Sequence, residues 1–321
     1  MVKVPPKEKA AQKPVKNPAD KKMTAPPPAA QKKVAPKPPA KKAAVKADAK
    51  QPIKEKKSAA KPASTGFQAK VAAAEKLHQE GKLKEAWDSY QALLKLEPRS
   101  YVAVHGMALI AAQMKDFKMA ASLFTDAIGI DPSNPRSYNN LANVSVELGD
   151  RNLAIKHYGK AIALDARYVD AIKNRGLVYF GLKQYAQALA DFTQVLDFNP
   201  RYWQARLHRG NIYVSMNKID DAIQEYDLAL AVSPDNPVLH NNLAAIYGSL
   251  KQFEKGLKHA NQALKINVRY AEAFNNRAVI LAGLERFEDS LKDYQDAINL
   301  RPNYDDAIKG KAALEKRLSK A

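Results

Sequence analysis

The chain of 321 residues carries 52 Lys and Arg against 33 Asp and Glu, a net charge of +19, with 46% hydrophobic residues and no cysteine. The missing cysteines exclude disulfide staples and thiolate metal sites and fit a reducing compartment. The apolar content suffices for a packed core, yet no uncharged apolar run approaches the roughly 20 residues of a membrane-spanning helix, and the opening MVKVPPKEK lacks the apolar stretch of a secretory signal. A soluble, cytoplasmic protein without membrane insertion is expected.

Residues 1–66 hold 18 Lys and four acids, so +14 of the total charge lies there, together with 12 of the 19 prolines and no aromatic before Phe67. Such a segment buries too little apolar surface to offset its chain entropy. It reads as a disordered, extended tail. A flexible polycation attracts nucleic acid or acidic proteins in a salt-dependent way, although the tail has no aromatic on which bases stack. The same composition also serves as a solubilising tether.

From Phe67 onward the chain repeats. Prolines 98, 132, 200, 234 and 302 are separated by 34 or 68 residues, which sets seven units: 67–100, 101–134, 135–168, 169–202, 203–236, 237–270 and 271–304. Position 8 of each unit is Ala74, Ala108, Ala142, Gly176, Gly210, Ala244 and Ala278, and position 20 is Ala86, Ala120, Ala154, Ala188, Ala222, Gly256 and Ser290. Both are always small. Position 24 is Tyr90, Phe124, Tyr158, Phe192, Tyr226, Ala260 and Tyr294, a ring in all but the sixth unit. Turn-forming pairs such as Gly81-Lys82, Gly149-Asp150 and Asn217-Lys218 divide each unit into a first helix, A, and a second, B. Gly256, Ala260 and Val268 predict looser packing in unit six. Residues 305–321 predict a polar capping helix, with Ile308, Ala312 and Leu318 covering the last unit.

Two antiparallel helices that meet at small residues, with a ring filling the gap beside the contact, are similar to the tetratricopeptide repeat. The resemblance covers residues 67–304. It implies an all-α, right-handed superhelix whose A helices line an inner, concave wall, and a protein-interaction scaffold rather than an enzyme.

Helix A is expected to pack through positions 4, 7, 8 and 11, which puts position 6 roughly 150° from the middle of that stripe. Asn140, Asn174, Asn242 and Asn276 occupy position 6, and His208 interrupts the row. A planar amide pairs with both the C=O and the N–H of a peptide unit, so the row suits an extended peptide read by its backbone. Asn143 and Asn211 are placed in the same groove. Amides that merely bond a neighbouring repeat would give the same row. The phrases NNLAN (139–143), NRG (174–176) and NNRA (275–278) also resemble the repeat arm of O-GlcNAc transferases, where an asparagine ladder holds the acceptor backbone. That likeness implies, as an alternative, a substrate-recruiting arm for a separate glycosyltransferase. No residues remain for a catalytic domain. Asn139, Asn241 and Asn275 at position 5 are expected in rim or inter-repeat contacts.

Arg175, Arg209 and Arg277 stand at position 7, where they either clamp a carboxylate or phosphate or lay their stems on the core and pair with an acid in the next repeat. The six histidines show no metal-ligand spacing, and His208 is placed to change the groove's charge between pH 6 and 7. No phosphate loop, GxSxG or HExxH occurs. No metal, cofactor or catalytic constellation is expected.

Overall fold

The computed structural model describes residues 65–320. The expectations for the segment before Thr65, a basic disordered tail with nucleic acid or acidic partners, lie outside the described residues. Fifteen α-helices and no strand make up the described residues: α1 Thr65–Gln79, α2 Leu83–Leu96, α3 Tyr101–Gln113, α4 Phe117–Ile130, α5 Pro135–Glu147, α6 Arg151–Leu164, α7 Val169–Gly181, α8 Tyr185–Phe198, α9 Trp203–Ser215, α10 Ile219–Leu230, α11 Pro237–Ser249, α12 Phe253–Ile266, α13 Ala271–Gly283, α14 Phe287–Leu300 and α15 Asp305–Leu318. Odd numbers up to α13 are A helices, even numbers are B helices, and α15 is the cap. None is long and apolar enough to cross a membrane.

Every A helix stops in the same way. Position 15 adopts a left-handed φ in all seven units: Gly81 (75°), Lys115 (63°), Gly149 (85°), Lys183 (59°), Asn217 (57°), Lys251 (58°) and Glu285 (62°). The next amide then reaches back to position 11, as Asp150 N–H does to Ser145 O at 2.9 Å, which satisfies a carbonyl that the helix leaves open. Only two of the seven positions are glycine. At the lysines and the glutamate, helix packing overrides a local steric cost of about 1–2 kcal/mol per residue.

Within a unit the helices meet at the small residues. Ala74, Ala108, Ala142, Ala244 and Ala278 at position 8, and Ala86, Ala120, Ala154, Ala188, Ala222 and Ser290 at position 20, are fully buried. At Gly210 the approach is closest, because a Cβ there would sit 2.4 Å from the Tyr226 ring.

The buried face of helix A is wider than positions 4, 7, 8 and 11. Positions 3 and 10 are buried in units two to seven: Ala103 and Ile110, Ser137 and Val144, Ala171 and Val178, Ala205 and Ile212, Leu239 and Ile246, Ala273 and Ile280. They pack on the preceding unit's B helix, as Ala171 and Val178 do on Tyr158 and Ala161. Each A helix from α3 to α13 is thus wedged between two B helices. This moves its outward face to position 9, about 180° from the middle of the buried arc at 100° per residue, and leaves position 6 on the flank facing the preceding unit. A helices also approach one another, α1 with α3, α5 with α7, α11 with α13 and α13 with α15, whereas no successive B helices approach comparably. The A helices therefore line the inner wall of the superhelix.

Two local expectations are corrected. Unit six is not loose: with Ala260 in place of a ring, Ile280 of the next unit fills the gap, and a Cβ on Gly256 would meet it at 2.9 Å. In the cap, Ala307 and Leu314 are the buried residues, while Ile308 and Leu318 are 41% and 36% exposed and Ala312 is exposed. The cap repeats the position 3 and 10 contact of an A helix, with Gly310 making room for the Tyr294 ring.

Candidate peptide groove

Position 6 lies over the position 24 ring of the preceding unit. Glycine at 106 and 310 admits Tyr90 and Tyr294, since a Cβ would come within 2.4 and 2.6 Å of those rings, and His208 stacks on Phe192 with centroids 4.9 Å apart. Where position 6 is asparagine, its amide bonds the preceding unit. Asn140 Nδ2 lies 3.2 Å from His105 Nε2, Asn174 Nδ2 donates to Asn143 Oδ1 (3.2 Å), Asn242 Nδ2 to Asn211 Oδ1 (3.2 Å) and Asn276 Nδ2 to Asn241 Oδ1 (2.8 Å). These four amides are half-buried. The cross-repeat bond named as an alternative is therefore present, and it also fixes how each amide faces.

The junctions between units three and four and between units five and six are built alike. Tyr158 Oη donates to Asn143 Oδ1 at 2.6 Å, and Tyr226 Oη to Asn211 Oδ1 at 2.7 Å. Burial pushes both phenols well above their ordinary pKa, Tyr226 to about 12, so they stay donors at neutral pH. The oxygens of Asn143 and Asn211 each accept twice, which leaves the Nδ2 groups of these two residues as donors without a partner among the described residues. Asn174 and Asn242 keep Oδ1 and one Nδ2 proton. Each junction thus presents a fixed donor beside a free acceptor, the complement of one peptide unit.

Of the position 5 asparagines only Asn241 makes the expected inter-repeat bond, while the buried Oδ1 atoms of Asn139 and Asn275 have no partner among the described residues. Asn139, Asn241 and Asn275 are 5–7% exposed, Asn241 receives the bond from Asn276 in the next unit, and Asn139 donates to its neighbour Asn140 at 3.3 Å. The arginines are engaged by carboxylates in their own repeat, not in the next one. Arg175 grips Asp191 at 2.7 and 3.0 Å, Arg277 grips Asp293 at 2.6 and 2.8 Å, and Arg209 meets Glu225 at 2.9 Å. Each acid lies at position 23, opposite position 7 across the helical hairpin.

Tetratricopeptide repeat models match residues 103–134, 135–168, 169–202 and 271–304, and a TPR repeat model matches 210–251, together more than half of the chain. The chain is a tetratricopeptide repeat protein. Its fold is similar to that of a tetratricopeptide repeat protein from Parabacteroides merdae (TM-score 0.60, 19% identity, covering 78% of this chain and 98% of that one). It is likewise similar to the C-terminal part of a TPR repeat-containing protein from Cytophaga hutchinsonii (0.62, 12%, 75% and 98%) and to PilF of Pseudomonas aeruginosa (0.57, 18%, 66% and 97%). No curated protein matches the chain. The comparisons support the repeat family, not the narrower likeness to the arm of O-GlcNAc transferases. Proteins of this family are generally protein-interaction scaffolds.

Burial lowers the pKa of His105, His157, His208 and His259 in this repeat protein. Burial, followed by the charge of Lys173, lowers the pKa of His208, so its charging moves to lower pH than the window expected from the sequence. Burial, then Arg136, takes His105 to about 4, and burial, then His240 and Lys258, takes His259 to about 4. His240 and His259, 19 residues apart, meet at 3.0 Å between Nδ1 atoms, a pair that spacing along the chain does not reveal. Unfolded, His105, His208 and His259 titrate near 6.5. Between pH 6.5 and about 4 the unfolded state therefore binds more protons than the folded one, and stability falls as pH drops through that window. Melting at pH 7.5, 5.5 and 4.5 should show progressive loss, and His259→Asn should flatten part of it. An unchanged slope in that variant contradicts the assignment.

Proposed function

We propose that this protein is a non-catalytic scaffold whose inner wall holds an extended polypeptide segment by its backbone. The observation that carries this reading is the repeated junction, Tyr158–Asn143–Asn174 and Tyr226–Asn211–Asn242, in which buried phenols lock one amide as donor and leave its neighbour as acceptor. The two junctions are two repeats apart, roughly 16–20 Å at the usual spacing of packed helices, or about six residues of extended chain. Each hydrogen bond contributes a net 0.5–1.5 kcal/mol or so, hence two junctions give moderate affinity and read no side chain.

The test uses the full chain as bait for cell extract, with bound proteins quantified by mass spectrometry, beside the variant Asn174→Ala with Asn242→Ala. The variant keeps both Tyr–Asn bonds, so its melting temperature should stay within a few degrees. Capture should fall by about tenfold, the weight of one to two hydrogen bonds. Equal capture by a folded variant refutes the reading.

A further inference from the structure

We infer that the bound segment places a lysine side chain in a cavity between α1 and α3, where its ammonium group donates to the carboxylate of Glu75 and to the hydroxyl oxygen of Tyr90. The inference rests on the peptide-holding inner wall proposed above and adds one side chain that this wall selects. Position 9 is an amide in units three and five but an acid in unit one. Glu75 precedes Tyr90 by 15 residues, as Asn143 precedes Tyr158 and Asn211 precedes Tyr226, and in the latter two pairs the phenol reaches position 9. There the next unit's position 6, Asn174 or Asn242, supplies a second N–H to the same oxygen. Unit one has no such donor. Position 6 of unit two is Gly106, and the ring atoms of Tyr90 nearest to it are Cζ and the two Cε atoms, so the hydroxyl end of the ring lies over the glycine. The space that an amide side chain takes at the other two junctions is open here, as a cavity of about 300 Å³ lined by Glu75, Tyr90, Gly106 and Arg136 among others. Unit seven repeats the tyrosine and the glycine in Tyr294 and Gly310 but carries Val279 at position 9, so the acid is peculiar to unit one.

The groups left free in the cavity call for a cation beside Glu75. His78 bonds Gln113, Tyr101 bonds Ser137 and His105 bonds Asn140. Tyr90 is only 2% exposed, yet its hydroxyl faces the cavity with no hydrogen-bond partner among the described residues. Burial, then the charge of Glu75, pushes this phenol up to about 12, so it stays un-ionised beside the carboxylate. The neighbouring cations Lys76 and Lys82 both turn to Glu80, and Glu75 has no ion pair among the described residues. One carboxylate and one hydroxyl oxygen suit a compact ammonium with three rotatable donors on a flexible stem better than the planar fork of a guanidinium. Arg136 lines the opposite side, from α5, and meets a main-chain carbonyl of the same segment.

The probes are two capped peptides of about 18 residues in a Ser/Thr/Gln background, one with lysine and the other with norleucine at the third residue from each end, so that either chain direction serves. Both are titrated against the full chain by fluorescence anisotropy at physiological ionic strength. The lysine peptide should bind at least fivefold tighter, the weight of a charge-assisted hydrogen bond at a partly open site. The chain's net charge of +19 works against that preference, so a general field does not produce it. Glu75→Gln, at an exposed position, should reduce the preference to twofold or less, whereas Glu80→Gln should leave it unchanged. Asn174→Ala with Asn242→Ala should weaken both peptides alike. Equal affinity for the two peptides, with sensitivity to the Asn variant retained, overturns the inference and leaves backbone reading intact, and a lysine preference that survives Glu75→Gln does the same. A preference lost in Glu75→Gln, with no effect of the Asn variant, supports the lysine site and refutes backbone reading. No binding of either peptide at millimolar concentration overturns both.

Discussion

Tyr226→Ala is expected to destabilise the middle of the superhelix by about 3–5 kcal/mol, the usual cost of emptying a buried aromatic site. The ring is 1% exposed and lies among Ala222, Ala229, Leu239, Leu243 and Ile246, so it joins units five and six as well as the two helices of unit five. Neighbouring helices cannot close the gap cheaply, because Gly210 already approaches the ring as nearly as a backbone can. Repeat arrays are stabilised by intrinsic and nearest-neighbour contributions. Losing one interface in the middle should therefore split a single unfolding transition into two, visible by calorimetry or by hydrogen exchange in α9 to α11. Tyr226→Phe separates packing from polarity: it keeps the ring, removes the donor to Asn211, and should cost only about 0.5–1.5 kcal/mol. A single unshifted transition in Tyr226→Ala would show that the ring does not bear the interface.

Arg277→Ala should cost about 3–5 kcal/mol at the C-terminal end, because it strands Asp293 as an uncompensated buried carboxylate. Asp293 is 3% exposed and takes both of its close hydrogen bonds from Arg277, at 2.6 and 2.8 Å. The exposed pair Arg286–Asp289, with both side chains 53% exposed, offers the contrast, since such pairs contribute about 0–1 kcal/mol. Hydrogen exchange across α13 to α15 should accelerate strongly in Arg277→Ala and barely in Arg286→Ala. Arg277→Met with Asp293→Leu should recover most of the loss, because the penalty lies in the lone charge and not in the absence of the pair. Similar exchange in the two single variants would place Asp293 in solvent rather than in the core.

Much of the fold was readable from small residues at positions 8 and 20 and a ring at 24, because close helix contact leaves no choice there. The second burial surface was not, since positions 3 and 10 mix Ala, Ser and Leu with Ile and Val, and Ala and Ser carry little hydropathy signal. With positions 3 and 10 also buried, position 9 faces outward and position 6 lies on the flank toward the preceding unit. The orientation of the amide row depends on Tyr158 and Tyr226, which reach it from helix B. Contacts across a hairpin, such as Arg175 with Asp191 or His240 with His259, obey no i, i+4 rule and emerge only once two helices are laid side by side. The three arginine–carboxylate pairs share an offset of 16 residues between positions 7 and 23, a signal present in the repeat frame.

Backbone recognition is tested most directly by removing backbone donors from the ligand while leaving every side chain in place. A segment captured by the full chain, made as a capped peptide, is N-methylated at two amides six residues apart in register with Asn174 and Asn242, and its affinity is compared with that of the unmodified peptide and of one methylated outside that register. Two lost hydrogen bonds correspond to about tenfold or more in affinity, and that loss is expected for the in-register peptide alone. Equal affinity of all three peptides would contradict a groove that holds its partner by the main chain.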